Sequence, residues 1–274
     1  MTEVLGARAL SVDLGGTRVL HDVTVEVRPG EVVAVVGGDG AGKSTLLRAL
    51  VGEIEPASGS VSVPQAERVG YLPASAGSWA ALTVRQNLDF AGGVYGLVGE
   101  VLEARRDELL ERSSLAAAAD RPASQLSGGM RRKLGFCMAV IHEPELLVLD
   151  EPTTGVDPVS RVDLWRLVAQ TASRGTAVVM STTYLDEAER AASLTVLDHG
   201  SVLAQGTVDD VLDSLPGTIT HAALAVRAGW AWRRGRSVHE FWAEGEQPQG
   251  AVLRPDLEDV VVALSLRHRA EAAS

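Results

Sequence analysis

The glycine-rich stretch GGDGAGKST at residues 37–45 constrains the fold of this chain more than any other feature. It follows the apolar run EVVAVV and precedes a segment whose Leu46, Leu47 and Leu50 share one helical face, which predicts a strand, a turn and a helix. In that context the pattern G-x-x-x-x-G-K-[ST] predicts a loop whose backbone N–H groups bind phosphate at a helix N-terminus. An ordinary glycine-rich turn is the alternative.

Each residue of this loop has an expected role toward a nucleotide. The Lys43 ammonium is expected to reach the β and γ phosphates, and the Ser44 hydroxyl is expected to bind Mg²⁺. The residues expected to contact the nucleotide here are Gly37, Gly38, Asp39, Gly40, Ala41, Gly42, Lys43, Ser44 and Thr45.

Two more buried strands are predicted, over LLVL at 146–149 and AVVM at 177–180. Short apolar strands that alternate with helices predict an α/β fold with a mainly parallel sheet. Asp150 and Glu151 follow the first of these strands, at the carboxyl edge where open α/β sheets bind ligands. Asp150 is the expected Mg²⁺ ligand, and Glu151 is expected to orient and deprotonate an attacking water. A solvated acidic turn is the alternative.

Composition limits the class of protein. The net charge of −11 and the pI of about 5.0 argue against a nucleic-acid partner, because phosphate neutralisation needs a surplus of Lys and Arg. Cys137 is the single cysteine and lies in an apolar run, so we expect a core residue and a reducing, cytoplasmic compartment. The N-terminus lacks the layout of a secretory signal, and no apolar run approaches the ~20 residues that span a bilayer.

The chain is expected to divide near residue 215. Residues 1–214 form the α/β domain, with a helical subdomain over about 75–130 in which a capping box at Thr83 opens a helix. Residues 215–274 are expected to form a small accessory domain. Its stretch AGWAWRRGRSVHEFW favours a packed core over a nucleic-acid or lipid surface.

The stretch LSGGM at residues 126–130 opens a further predicted helix, and such a helix start either binds an anion or is only a flexible lead-in. Together with GGDGAGKST and LLVLDEPTTGVDP it resembles the ATP-binding cassette of ABC transporters over roughly residues 5–213. The tail RPDLEDVVVAL resembles the ending of drug and polysaccharide exporter cassettes. The resemblance implies a P-loop NTPase fold, ATP and Mg²⁺ as ligands, and ATP hydrolysis that drives a separate membrane permease.

The resemblance also implies partners. In this family two cassettes pack head to tail, so Ser127, Gly128 and Gly129 would contact the nucleotide of the partner cassette. The stretch Gly155-Val156-Asp157 resembles the D-loop of the dimer interface, and the helical subdomain resembles the part that docks onto the permease. A cassette dimer on the inner face of the cell membrane is therefore expected.

Several positions depart from the family pattern. Thr183 stands where the family has a catalytic histidine that contacts the γ-phosphate; threonine donates one hydrogen bond but does not titrate near neutrality. Ala74 stands at the Q-loop glutamine. Leu14 falls at about the adenine-stacking aromatic, whose stacking is worth roughly 1–3 kcal/mol. Asp39 replaces a common asparagine. Losing an orienting group costs about 10²–10⁴ in rate, so ATP binding with slowed hydrolysis is expected.

The altered positions serve the chain's own site, whereas the LSGGM that serves a partner is intact, which favours a different cassette as the partner. Two other functions stay open. One is a nucleotide switch that binds ATP without turnover, as the inactive half of an asymmetric pair does. The other is an ABC protein that acts on ribosomes or DNA, against which the acidic balance and the lack of paired cassettes or coiled-coil insertions weigh.

Overall fold

A computed structural model describes residues 4–75 and 77–272. In chain order, the strands and helices up to residue 213 are β1 (Leu5–Leu14), β2 (Thr17–Val27), β3 (Val32–Val36), α1 (Lys43–Leu50), β4 (Ser58–Ser62), β5 (Val69–Leu72), α2 (Val84–Val94), α3 (Gly99–Arg112), α4 (Gly128–Val140), β6 (Leu146–Leu149), α5 (Pro158–Ser173), β7 (Ala177–Thr182), α6 (Leu185–Ala188), β8 (Ser193–Asp198), β9 (Ser201–Gly206) and α7 (Val208–Asp213). The chain continues with β10 (Gly217–Ala222), β11 (Ala231–Arg234), β12 (Ser237–Ala243), β13 (Ala251–Val252) and α8 (Leu257–Ala272).

The largest sheet in the described residues has the strand order β5-β6-β7-β3-β8-β9. Its strands run parallel except for β9, which pairs antiparallel with β8. Every residue of β3, β6 and β7 is buried, because helices and a second sheet cover the two faces. The prediction of an α/β fold with a mainly parallel sheet is therefore confirmed.

The second sheet, in the order β2-β1-β4, is antiparallel and covers α1. Leu46, Leu47 and Leu50 of α1 are completely buried in a core that also contains Leu10 and Leu20 of this sheet. Burying one such side chain contributes about 1.5–3 kcal/mol. This packing fixes α1 against β3 and therefore fixes the loop between them.

Helices α2, α3 and α4 share one core cluster; α2 and α3 lie in the segment of about 75–130 that is predicted as a helical subdomain, and that division stays a prediction. The predicted capping box at the start of α2 is confirmed: Thr83 Oγ1 accepts from the Gln86 N–H at 3.1 Å, and Gln86 Oε1 accepts from the Thr83 N–H at 2.9 Å. The buried Asn87 amide donates to the carbonyls of Trp79, Leu82 and Thr83 and accepts from the Trp79 N–H. The segment that leads into α2 is thereby held in place.

The C-terminal sheet has the antiparallel order β11-β12-β10-β13. Ile219 and Phe241 form its small core with Ala263 of α8, and Trp230 and Trp232 pack partly buried against it. Helix α8 also contributes to a core cluster with strands of the parallel sheet, for example through Val260. Helix α8 thus packs against both the C-terminal sheet and the parallel sheet. A separate accessory domain over residues 215–274 stays a prediction.

No helix within residues 4–75 and 77–272 is long and apolar enough to cross a bilayer.

Candidate nucleotide site

The carboxyl ends of β3, β6 and β7 meet at one edge of the parallel sheet, because Val36 pairs with Thr182 and Leu149 pairs with Met180. The phosphate loop follows β3, Asp150 follows β6, and three hydroxyl residues, Ser181, Thr182 and Thr183, lie at the end of β7. Sequence segments that lie more than a hundred residues apart are therefore adjacent in the fold. Ligands of open α/β sheets bind at this kind of edge.

The phosphate loop borders a pocket of about 300 Å³, lined by Gly38, Asp39, Gly40, Ala41, Gly42, Lys43, Ser44 and Thr45 together with Val19 and Glu151. Gly42 adopts a φ of 103°, and a Cβ added there would lie 2.7 Å from Leu20 Cδ2. A Cβ on Gly37 would lie 2.3 Å from the Leu197 carbonyl oxygen. Glycine is therefore required at both positions, because the loop backbone packs directly against β2 and β8. With no side chains there, the backbone of the loop can line the pocket.

Lys43 is buried, and its ammonium lies over the loop. Nζ donates to the carbonyl oxygens of Gly37 at 2.8 Å and Gly38 at 3.1 Å, and it lies 3.2 Å from Glu151 Oε1. The cation of the loop and the carboxylate that follows β6 therefore form an ion pair in one pocket.

The acidic pair is held by a serine that the sequence analysis did not single out. Ser181 Oγ donates to Asp150 Oδ1 at 2.7 Å and accepts from the Glu151 N–H at 2.9 Å. Ser181 and Asp150 are both buried. One hydroxyl therefore orients the expected Mg²⁺ ligand and anchors the backbone of the expected catalytic glutamate.

Glu151 adopts a φ of 47°, in the left-handed region that costs a non-glycine residue about 1–3 kcal/mol. The hydrogen bond from its N–H to Ser181 and a hydrogen bond from Arg132 Nη2 to its carbonyl, at 2.9 Å, hold this conformation. Thr154 Oγ1 donates to Glu151 Oε2 at 2.9 Å and orients the carboxylate. Such strain is found mainly where the surrounding structure imposes it, often at functional sites.

The remaining hydroxyls at the end of β7 have different surroundings. Thr182 is buried and donates to Glu187 Oε2 at 3.0 Å, while Thr183, at the position of the family histidine, is exposed. Glu187 is buried and also accepts from Thr153 at 2.8 Å and from Arg161 Nε at 2.9 Å. This network links the loop after Glu151 to α5 and α6, and none of its contacts was predicted from the sequence.

The structure does not bring all predicted site residues to this pocket. Leu14 is exposed at the end of β1, and in the described residues Val19 of β2 lines the pocket in its place. Ser127 and Gly128 are exposed at the N-terminus of α4, where Ser127 Oγ accepts from the Met130 N–H. Gly129 is buried against α5. The roles assigned to Leu14, Thr183 and the LSGGM stretch stay predictions.

The residues present fit a magnesium nucleotide. Mg²⁺ prefers oxygen ligands and is usually bound by one or two carboxylates together with substrate phosphates. Asp150 and Ser44 offer a carboxylate and a hydroxyl, and no cluster of three His, Cys, Asp or Glu side chains forms a separate metal site in the described part of the chain. Fold and pocket together define a P-loop nucleotide-binding protein.

Comparison with known proteins gives the family. A family model described as ABC transporter matches residues 20–154. The "Nod factor export ATP-binding protein I" of Cupriavidus pinatubonensis is 36% identical over 228 residues, which are 79% of this chain and 70% of that protein. The "Probable multidrug ABC transporter ATP-binding protein YbhF" of Escherichia coli is 38% identical over 201 residues, 70% of this chain. The match spans only 35% of the length of that relative.

A solved structure described as the ATP binding subunit of an ABC transporter superposes with a TM-score of 0.71 at 32% identity, covering 77% of this chain and 92% of that one. The chain belongs to the ABC transporter family of ATP-binding proteins. Members of this family are ATPases coupled to transport, and the cassette fold inferred from the sequence is confirmed.

Proposed function

We propose that this chain binds and hydrolyses ATP as the energy-coupling subunit of an ABC exporter. The observation that carries the proposal is the ion pair of Lys43 with Glu151, 3.2 Å apart in the pocket of the phosphate loop. The same edge of the sheet carries Asp150, held by Ser181. A cation for phosphate, a carboxylate for the metal and a carboxylate for the water are thus all near one pocket.

The residues have separable roles in this proposal. The loop N–H groups and Lys43 bind phosphate oxygens, and Ser44 and Asp150 hold Mg²⁺, which when bound neutralises charge on the phosphates. Glu151 orients and deprotonates the attacking water, with its carboxylate held by Thr154. Phosphoryl transfer depends mainly on positioning and on charge stabilisation, which are the properties that this arrangement offers.

Turnover in this site is expected to be slow. Thr183 has no titratable group, and Ala74 has no polar side-chain atom to approach the metal or the water. Loss of one orienting or proton-transferring group costs about 10²–10⁴ in rate. ATP binding, which depends on the phosphate loop, is expected to be retained.

An apolar surface on the helical subdomain supports docking to a permease on the inner face of the membrane. It contains the exposed side chains of Trp79 and Phe90, and Val94, Val98 and Val101 are exposed on the following part of the same segment. The rings of Trp79 and Phe90 contact edge to face, with centroids 4.3 Å apart. Aromatic residues are enriched in the cores of protein interfaces, and adjacent exposed apolar side chains mark such sites.

The proposed assembly contains a second cassette. Ser127 and Gly128 are exposed at the N-terminus of α4, where backbone N–H groups favour an anion. Because these residues lie outside the chain's own pocket, they are available to a nucleotide held by a partner cassette. The altered Thr183 and Ala74 favour a partner of different sequence. The name of one relative, a Nod factor export ATP-binding protein, supports export as the direction of transport.

The test is ATP hydrolysis and ATP binding by the purified chain, alone and with its co-purifying membrane partner. Lys43→Ala is expected to lose binding, and Glu151→Gln is expected to bind ATP without turnover. Glu143→Gln removes an exposed carboxylate outside the pocket and serves as the matched control. Turnover that survives Glu151→Gln would contradict the role given to this residue.

A second candidate function is a nucleotide switch that binds ATP without hydrolysis, as the inactive half of an asymmetric pair. The exposed Thr183 and the apolar Ala74 favour it. Tight ATP binding by the wild type, with no turnover above that of Glu151→Gln even in the presence of the permease, would select this function. Restored turnover when a different cassette is added would locate hydrolysis in the partner's site.

A further inference from the structure

Arg132 joins two loops of the site through main-chain contacts. It lies on α4 and is buried, with 7% of its surface exposed. Its Nη1 donates to the carbonyls of Pro73 at 2.9 Å and Ser75 at 2.8 Å, and its Nη2 donates to those of Ala74 at 2.6 Å and Glu151 at 2.9 Å. One guanidinium therefore binds three consecutive carbonyls of the loop after β5 and the carbonyl of the expected catalytic base.

The guanidinium donates to neutral carbonyls and forms no ion pair within residues 4–75 and 77–272, so its charge acts on the site from a longer distance. Burial lowers the pKa of Arg132, and the nearby charges of Asp150 and Glu151 oppose that effect. An arginine stays protonated in proteins, so a cation lies near the two carboxylates. It offsets part of their mutual repulsion.

The loop contacted by Arg132 leads from the catalytic edge to the apolar surface of the helical subdomain. Its first part carries Ala74, and its later part carries Trp79, which is fixed to α2 by Asn87 and belongs to the apolar surface. Ala74 has no polar side-chain atom, so its link to the acidic pair is indirect: the Arg132 guanidinium binds the carbonyls of both Ala74 and Glu151.

We propose that Arg132 is a positioning residue that holds Glu151 in its left-handed conformation and makes that conformation depend on the loop residues 73–75. The proposal rests on the proposed function, in which Glu151 activates the water. Displacement of the loop by a partner bound at Trp79 would move the guanidinium and, with it, the carbonyl of Glu151.

The chemistry of the site requires a guanidinium. Arginine presents five N–H donors in a rigid plane, which suits four convergent carbonyls, whereas lysine has three donors on one flexible point charge. Arg132→Lys therefore keeps the charge and loses the geometry, while Arg132→Gln loses both. Arg166→Gln, on an exposed side chain of α5 that contacts Asp163, is the matched control.

The experiment measures kcat, KM and the Kd for ATP of the full chain, with and without its membrane partner. In both Arg132 variants we expect kcat to fall about 10²-fold, as for a misplaced catalytic group, while the Kd for ATP is unchanged. Retained ATP binding shows that the variants are folded. A wild-type kcat in Arg132→Gln would overturn the proposal, as would an equal loss in Arg166→Gln.

Hydrogen exchange of residues 74–75 and 150–154 tests the contact independently of turnover. Faster exchange in both segments is expected in Arg132→Gln and in neither segment of Arg166→Gln. If the wild type binds ATP without hydrolysis, the proposed turnover fails while this measurement still decides the role of Arg132. Unchanged exchange at 150–154 would then refute the link to Glu151.

Discussion

Replacing Ser181 by alanine removes the hydroxyl that joins the two acidic residues of the site. The variant loses a charge-assisted hydrogen bond to Asp150, worth about 1.5–3 kcal/mol, and a hydrogen bond from the Glu151 N–H, worth about 0.5–1.5 kcal/mol. Ser181 is completely buried, so water does not reach this place freely. The polar groups that lose their partner therefore lower the stability of the fold. We expect the free energy of unfolding to fall by about 2–4 kcal/mol.

The assay is urea denaturation of the full chain, with Ser173→Ala as the matched control. The Ser173 hydroxyl donates to the Gln170 carbonyl in an exposed position, so its loss should cost less than about 0.5 kcal/mol. A double-mutant cycle with Asp150→Asn isolates the charge-assisted part, since the two side chains are in direct contact. The same effect of Ser181→Ala in both backgrounds, or a loss no larger than that of Ser173→Ala, would refute the reasoning.

Three further predictions concern other parts of the fold. Burial raises the pKa of Glu108, but hydrogen bonds from neighbouring arginines, led by Arg174, outweigh it and lower the pKa to about 2. The ionised Glu108 therefore stabilises the fold fully at a pH above 4.5, and this stabilisation is lost as the pH falls toward 2. Between pH 5 and pH 3, the free energy of unfolding should fall less in Glu108→Gln than in the wild type. Burial raises the pKa of Cys137 to about 11, so at pH 8 a thiol reagent should label it only after denaturation, and rapid labelling of the native chain would contradict this. Gly129→Ala places a Cβ 2.5 Å from Ser160 Oγ, so thermal unfolding should show a loss of about 1–3 kcal/mol that Ser160→Gly partly restores.

Local pattern predicted the parts of the site that depend on neighbours in sequence. The phosphate loop, the burial of Leu46 on the inner face of α1 and the capping box at Thr83 all follow from residues within one or two turns. Ser181 and Arg132 were missed because their partners lie 31 and up to 59 residues away. No periodicity or cap reveals such a contact.

The difference between Leu14 and Val19 has another physical cause. The sequence places the end of β1 near the nucleotide, but the side chain that reaches the pocket depends on the pairing register of β1 with β2. That register shifts at irregularities, one of them between Val12 and Asp13, before the turn at Gly15 and Gly16. A shift of one residue moves every following side chain to the other face of the strand, so sequence alone does not select the residue that lines the pocket.

The ion pair between Lys43 and Glu151 links nucleotide binding to the charge around the expected base. Lys43 Nζ lies 3.2 Å from Glu151 Oε1, so the ammonium offsets part of the negative charge of this carboxylate. In the proposed function the same ammonium binds phosphate, so a bound nucleotide competes with Glu151 for it. The backbone of Glu151 does not depend on that competition, since Ser181 and Arg132 hold its N–H and its carbonyl. Binding can therefore change the charge environment of the carboxylate while the residue keeps its place.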